Sequence, residues 1–143
     1  MKVTADNGDF LGILVNMALD QNTGATIYIP SLNKFLELSY LNDIVSLRTR
    51  TKLYFDDANC TGTAHLHPGE HENIFIHNHP EFLFVNQNTF YERVGDVSRT
   101  ETNSWLGFYG TCTDTSTGYL MLAPIQVVPV DFTYPIGTPI GFE

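Results

Sequence analysis

The chain is short of charge, and what charge it has is mostly of one sign. Charged residues fill 16% of its 143 positions, against about a quarter in an ordinary soluble domain. Seven Lys and Arg stand against 16 Asp and Glu, for a formal net charge of −9. Phosphate recognition needs clustered Lys and Arg, so this balance argues against nucleic acid and against anionic membrane surfaces. Neutral or basic partners, sugars and divalent cations stay open. Long apolar runs are missing as well. The longest near the start, residues 10–15, is too short to span a bilayer. Asp6 and Asp9, just upstream, carry the wrong sign for the opening of a secretory leader. Any leader is therefore expected outside this chain, or export follows another route, such as release with a virus particle. No membrane insertion is expected.

A sustained helical period is also absent, and so are several catalytic signatures. Ser104 and Ser116 lack the Gly-x-Ser-x-Gly context of a hydrolase elbow. There is no phosphate-binding glycine loop, no Cys-x-x-Cys and no acidic loop of EF-hand spacing. The acidic runs Asp6-Asn7-Gly8-Asp9 and Asp56-Asp57-Ala58-Asn59 have oxygen donors for calcium but read first as solvated turns.

What is present points to strands. Ten Phe and seven Tyr accompany abundant Val, Ile, Leu and Thr, residues that suit a pleated, half-buried surface. Short apolar runs at 10–18, 25–29, 35–40, 44–48, 52–55, 73–77, 82–85, 91–94, 104–109, 119–122 and 125–130 alternate with Gly, Asn, Asp and Pro. Regular turn spacing of this kind predicts an all-β fold, read here as an antiparallel β-sandwich or jelly-roll-like domain over residues 1–133. Residues 134–143, Tyr-Pro-Ile-Gly-Thr-Pro-Ile-Gly-Phe-Glu, cannot form a central strand. They read as an extended C-terminal tail, lying on the domain or reaching a neighbouring subunit. Trp105, Phe108 and Tyr109 offer a sugar-stacking platform, although a lone Trp in such a run is more often core.

Cys60 and Cys112 are the only cysteines. They read either as two independent buried thiols or as a disulfide. Their Thr-, Gly- and Asp-rich contexts favour the disulfide, and with it an oxidising compartment.

Two segments carry a family likeness. The opening Asp6-Asn7-Gly8-Asp9-Phe10-Leu11-Gly12 and the stretch Leu53-Tyr54-Phe55-Asp56-Asp57-Ala58-Asn59-Cys60-Thr61-Gly62 resemble a β-rich module of bacterial exported proteins and phage-tail-associated proteins. That module often ends such proteins, sometimes after collagen-like repeats. The resemblance implies an extracellular, cell-surface or virion-borne head domain for structure or attachment. It also implies a homo-oligomer, a trimer in particular, facing a cell-surface or carbohydrate receptor, and no catalytic residues.

All five histidines fall within residues 65–79. Residues two apart on a strand share a face, so His65/His67 and His77/His79 each present an imidazole pair. Glu72 adds a carboxylate between them. Imidazole with carboxylate suits a transition metal such as Zn, Fe or Ni. Three readings compete: a polar hairpin, a structural metal site, and an enzyme. For the second, fibre-type phage proteins offer a likeness, with His-x-His pairs from three chains meeting on a threefold axis. For the third, His65, His67 and Glu72 loosely resemble the first metal motif of cupin barrels. The glycine expected six residues before His65 is replaced by Asn59, however, and no histidine follows His79.

Overall fold

The computed structural model describes residues 1–17, 24–41, 44–47, 50–68, 79–137 and 140–143. Among them the regular structure is all-β and antiparallel, apart from one 3₁₀ turn and one isolated parallel bridge. None of them belongs to a helix long and apolar enough to cross a membrane. The predicted strand of residues 73–77 lies outside the described residues. The chain folds into two compact units, Met1–Thr49 with Pro129–Glu143, and Arg50–Val128.

The first unit is one sheet of six strands. β1 (Lys2–Thr4), β2 (Phe10–Met17), β3 (Gly24–Ile29), β4 (Lys34–Leu41) and β5 (Ile44–Leu47) follow one another as an antiparallel meander. Strict alternation sets the faces of β3 and β4. Ala25, Ile27, Ile29, Leu36 and Leu38 are buried, joined by Val3 and Leu11 from β1 and β2. On the opposite face the directly paired Tyr28 and Phe35 bring their rings to 5.3 Å. Next to them Thr26 Oγ1 donates to Glu37 Oε2 at 2.6 Å. Such cross-strand pairs hold the register of a hairpin.

Gly12 sits where β2 passes close to β3: a Cβ there would stand 2.7 Å from the Tyr28 carbonyl oxygen. Gly12→Ala is therefore expected to push the two strands apart and to cost about 1–3 kcal/mol. Urea denaturation of the wild-type and substituted chains measures it, and an unchanged midpoint would refute the close-packing account.

The C-terminal segment closes on this same unit. β12 (Gly141–Phe142) adds to the free edge of β1, and Lys2 and Glu143 exchange backbone hydrogen bonds of 2.8 and 2.9 Å. A Pro- and Gly-rich segment is compatible with an edge position of this sort. Phe132 and Ile136 are buried. The Asp6 N–H donates to the Gly137 carbonyl, and the Thr133 N–H donates to Asp9 Oδ2 at 2.7 Å. That backbone donor, with the Asn7 amide, holds the Asp9 carboxyl below its ordinary value. The acidic run at the start of the chain thus has a structural employment as an anchor.

The second unit contains a small barrel. β6 (Leu53–Phe55), β7 (Ala64–Leu66), β10 (Ser98–Leu106) and β11 (Cys112–Val128) form a ring, since β10 pairs both β6 and β11 while β7 also pairs both β6 and β11. A hairpin of β8 (Phe84–Asn86) and β9 (Thr89–Arg93) extends from the last four residues of β11. Leu53, Phe55, Leu66, Phe84 and Ile125 form the core, with Leu106 and Cys60 packed against it.

Cys60 and Cys112 are joined by a disulfide with their Cα atoms 6.1 Å apart. This agrees with the expected crosslink and is consistent with an oxidising, extracellular location. Cys60 ends the 3₁₀ turn Ala58–Cys60. Around it the acidic run 56–59 is committed to the backbone: Thr63 N–H donates to Asp56 Oδ1, and Asn59 N–H donates to Asp114 Oδ1. Ser104 is fully buried; its Oγ accepts from Cys60 N–H and donates to the Asp57 carbonyl. Ser104 is a structural hydroxyl that ties the turn to β10.

Candidate functional site

The register of the barrel decides which side chains face outward. Directly opposite residues in an antiparallel pair share a face. Tyr54 is opposite Trp105, Trp105 is opposite Thr113, and Tyr54 is opposite His65. Leu53, Phe55 and Leu66, their immediate neighbours in sequence, belong to the core. The row His65–Tyr54–Trp105–Thr113 therefore shares the face of the barrel turned away from its core, with His65 and Tyr54 buried and Trp105 and Thr113 half-buried, and Lys52, two residues before Tyr54, joins it. This corrects the expectation that Trp105 is a core residue. The reason lies in the alternation of β10, where Thr102 and Ser104, two residues apart, share the inner face. The small polar Thr102 and Ser104 turn inward and are fully buried, and Trp105 turns out.

Beyond Trp105 the chain leaves β10 in a five-residue loop, Gly107-Phe108-Tyr109-Gly110-Thr111. Gly110 adopts φ +84°, a left-handed conformation open to glycine. The loop closes with Gly107 N–H donating to the Thr111 carbonyl at 3.0 Å and Gly110 N–H to the Gly107 carbonyl at 3.1 Å. It is also held from within. Asn86 is buried, and its Nδ2 donates to the Gly107 carbonyl at 3.1 Å and to the Thr51 carbonyl at 3.0 Å. Cys112, the next residue along, carries the disulfide.

Lys52, Trp105, Phe108, Tyr109, Thr111 and Thr113 line an open depression of about 250 Å³. The Lys52 ammonium lies 4.7 Å from the centroid of the Trp105 ring and 6.0 Å from that of Phe108. Such a cation–π placement fixes a flexible lysine over an aromatic surface. Tyr109 is 89% exposed, although its neighbours in the loop are pinned. A large ring held in water by an anchored loop buries little apolar area in the isolated chain. The chemistry on offer is stacking area, one ammonium donor and two threonine hydroxyls.

The histidines fall differently. His65 lies on β7 opposite Tyr54, and His67 follows the end of β7. His67 packs against the Tyr54 ring at 5.9 Å between centroids, and His65 is buried with its Nδ1 unpartnered. His79 is hydrogen-bonded through Nδ1 to Glu81 at 2.8 Å. His77 and Glu72 lie outside the described residues. Among the described residues no three His, Cys, Asp or Glu side chains gather as a group that could hold a metal ion.

The aromatic depression was visible in sequence only as an aromatic run. Lys52 and Asn86, far from it in the chain, carried no signal that would have placed them there. The chain matches no family model, no curated protein and no solved structure.

Proposed function

We propose that this chain is a non-catalytic attachment module of an exported or virion-borne protein, working as a homotrimer and contacting its receptor through the Trp105–Phe108–Tyr109 surface. One observation carries the reading: an aromatic patch is presented to solvent by a loop pinned through Asn86 and ending at the disulfide. Binding surfaces gain affinity when their rings are ordered before contact, because less side-chain and loop freedom is then lost. The disulfide supports an extracellular setting, and the likeness to exported and phage-tail modules supports the trimer.

The test uses fluorescently labelled, disulfide-intact chain applied to whole Gram-positive, Gram-negative and epithelial cells. Saturable binding to at least one of them is expected, falling about tenfold or more in Tyr109→Ala, the loss of one strong anchoring contact. Because Tyr109 is exposed, its removal is expected to leave the melting temperature in place. Binding indifferent to Tyr109→Ala, or no binding at all, would sink the proposal. Native mass spectrometry of the unreduced protein checks the assembly state, with a mass of three chains expected.

A further inference from the structure

Resting on that reading, we infer that the ligand of the aromatic depression is a neutral glycan, with one hexopyranose ring seated against Tyr109 and Phe108 and its hydroxyls met by Lys52, Thr111 and Thr113. The inference starts from shape. A depression of about 250 Å³ is at the small end of ligand sites and has room for a sugar ring rather than for a folded partner, whose stable interface needs about 800 Å² on each side. Chemistry narrows it further. The apolar C–H face of a pyranose packs flat on an aromatic ring, while its rim of hydroxyls needs donors and acceptors set around that ring. The lining supplies both: rings at Trp105, Phe108 and Tyr109, an ammonium that donates, and threonine hydroxyls that donate and accept. Lys52 lies over Trp105, so Tyr109, at 89% exposure, is the broadest open ring for stacking.

Charge selects against acidic sugars. The chain carries a net charge of −9, and among the residues lining the depression Lys52 is the one charged side chain. A polyuronate would meet that field with a single lysine in its favour, and exposed charges within about 10 Å feel one another at ordinary salt.

Trp105 is the only tryptophan in the chain, so emission excited at the red edge, where tyrosine does not absorb, reports on this site alone. The experiment titrates the disulfide-intact protein with hexamers of β-1,4-glucan, α-1,4-glucan, β-1,4-galactan, β-1,4-mannan and, for charge, α-1,4-galacturonan. A saturable change in Trp105 emission is expected with at least one neutral hexamer. Affinity should weaken about tenfold in Tyr109→Ala and by a smaller factor in Lys52→Met. Amide chemical shifts should move at residues 107–113 and not in the first unit. Preference for the galacturonan overturns the neutral assignment. Cell binding that depends on Tyr109 while no hexamer moves the Trp105 signal overturns the glycan assignment alone and points to a protein receptor. Failure of both overturns the attachment reading beneath it.

Discussion

Replacing Cys60 and Cys112 together with serine is expected to produce the largest loss of stability available from a pair of side chains here. The bond closes a loop across 52 positions. In the chain-entropy account such a closure removes conformations from the unfolded state worth about 4 kcal/mol. Spread over a unit the size of residues 50–128, that corresponds to a melting temperature lower by about 15–30 °C. Reduction of the wild-type protein should reproduce the shift, because the loss comes from the crosslink and not from the serine hydroxyls. The site should respond as well. Cys112 follows Thr111, so freeing it removes one of the two anchors of the aromatic loop, and the emission of Trp105 should move to the red before the global transition. Calorimetry together with fluorescence measures both; a shift of only a few degrees would mean that the barrel is held by its core alone.

Asn86→Asp should be nearly as damaging, and its damage should depend on pH. Two carbonyl oxygens, of Thr51 and Gly107, converge on one buried amide nitrogen. An ionised carboxylate in that place offers oxygen to oxygen and loses its hydration, a combination expected to cost about 3–5 kcal/mol at neutral pH. Burial raises the pKa of the introduced carboxyl above its unfolded value. With the folded value raised, the charge-dependent part of the deficit is absent below the unfolded pKa. It grows as pH rises toward the folded pKa and is constant above it. Acidification should therefore narrow the gap to wild type, since a protonated carboxyl can donate to one of the two carbonyls. Asn86→Ala removes the donors without adding charge, costs about 1–3 kcal/mol, and should show a gap independent of pH. Urea titrations of the three proteins at acid and neutral pH separate the cases. Parallel pH profiles for both variants would show that the amide does not hold the loop in the way described.

Strands with long alternating patterns were legible in the chain itself. Residues 25–29 and 35–40 appear within a few positions of β3 and β4, because strict apolar alternation and the Pro30-Ser31-Leu32-Asn33 turn leave little choice of register. Two- and three-residue pairings such as β1, β7 and β12 show no period, and they form only because a partner edge lies alongside. The ribbon of β10 and β11 was hidden for another reason. Ser98–Thr102 and Cys112–Gly118 are rich in Thr, Ser and Asp, a composition that also makes turns. Exposed rungs such as Arg99 on Tyr119, 4.6 Å from the ring centroid, carry that ribbon instead of a core.

The candidate site was legible to the extent that its rings are close in sequence, at 105, 108 and 109. Their orientation was not. Alternation sets Trp105 on the face opposite Ser104, but no local property of Trp105 records which of the two faces is the inner one. The disulfide was readable from the polar settings of its two cysteines. Lys52 and Asn86 needed the closure of the barrel to come near the loop at all.

The exchange of hydrogen bonds between Lys2 and Glu143 bears on how this molecule can be joined to others. Residues 2 and 143 lie side by side on neighbouring antiparallel strands at one edge of a single sheet. A protein fused before residue 1 and another fused after residue 143 would emerge side by side, and the edge pairing would act as a clasp between them. A linker from 143 back to 1 would need to span little more than one strand spacing, about 5 Å. New ends could then be opened in a turn such as 30–33, making the molecule a natural subject for circular permutation.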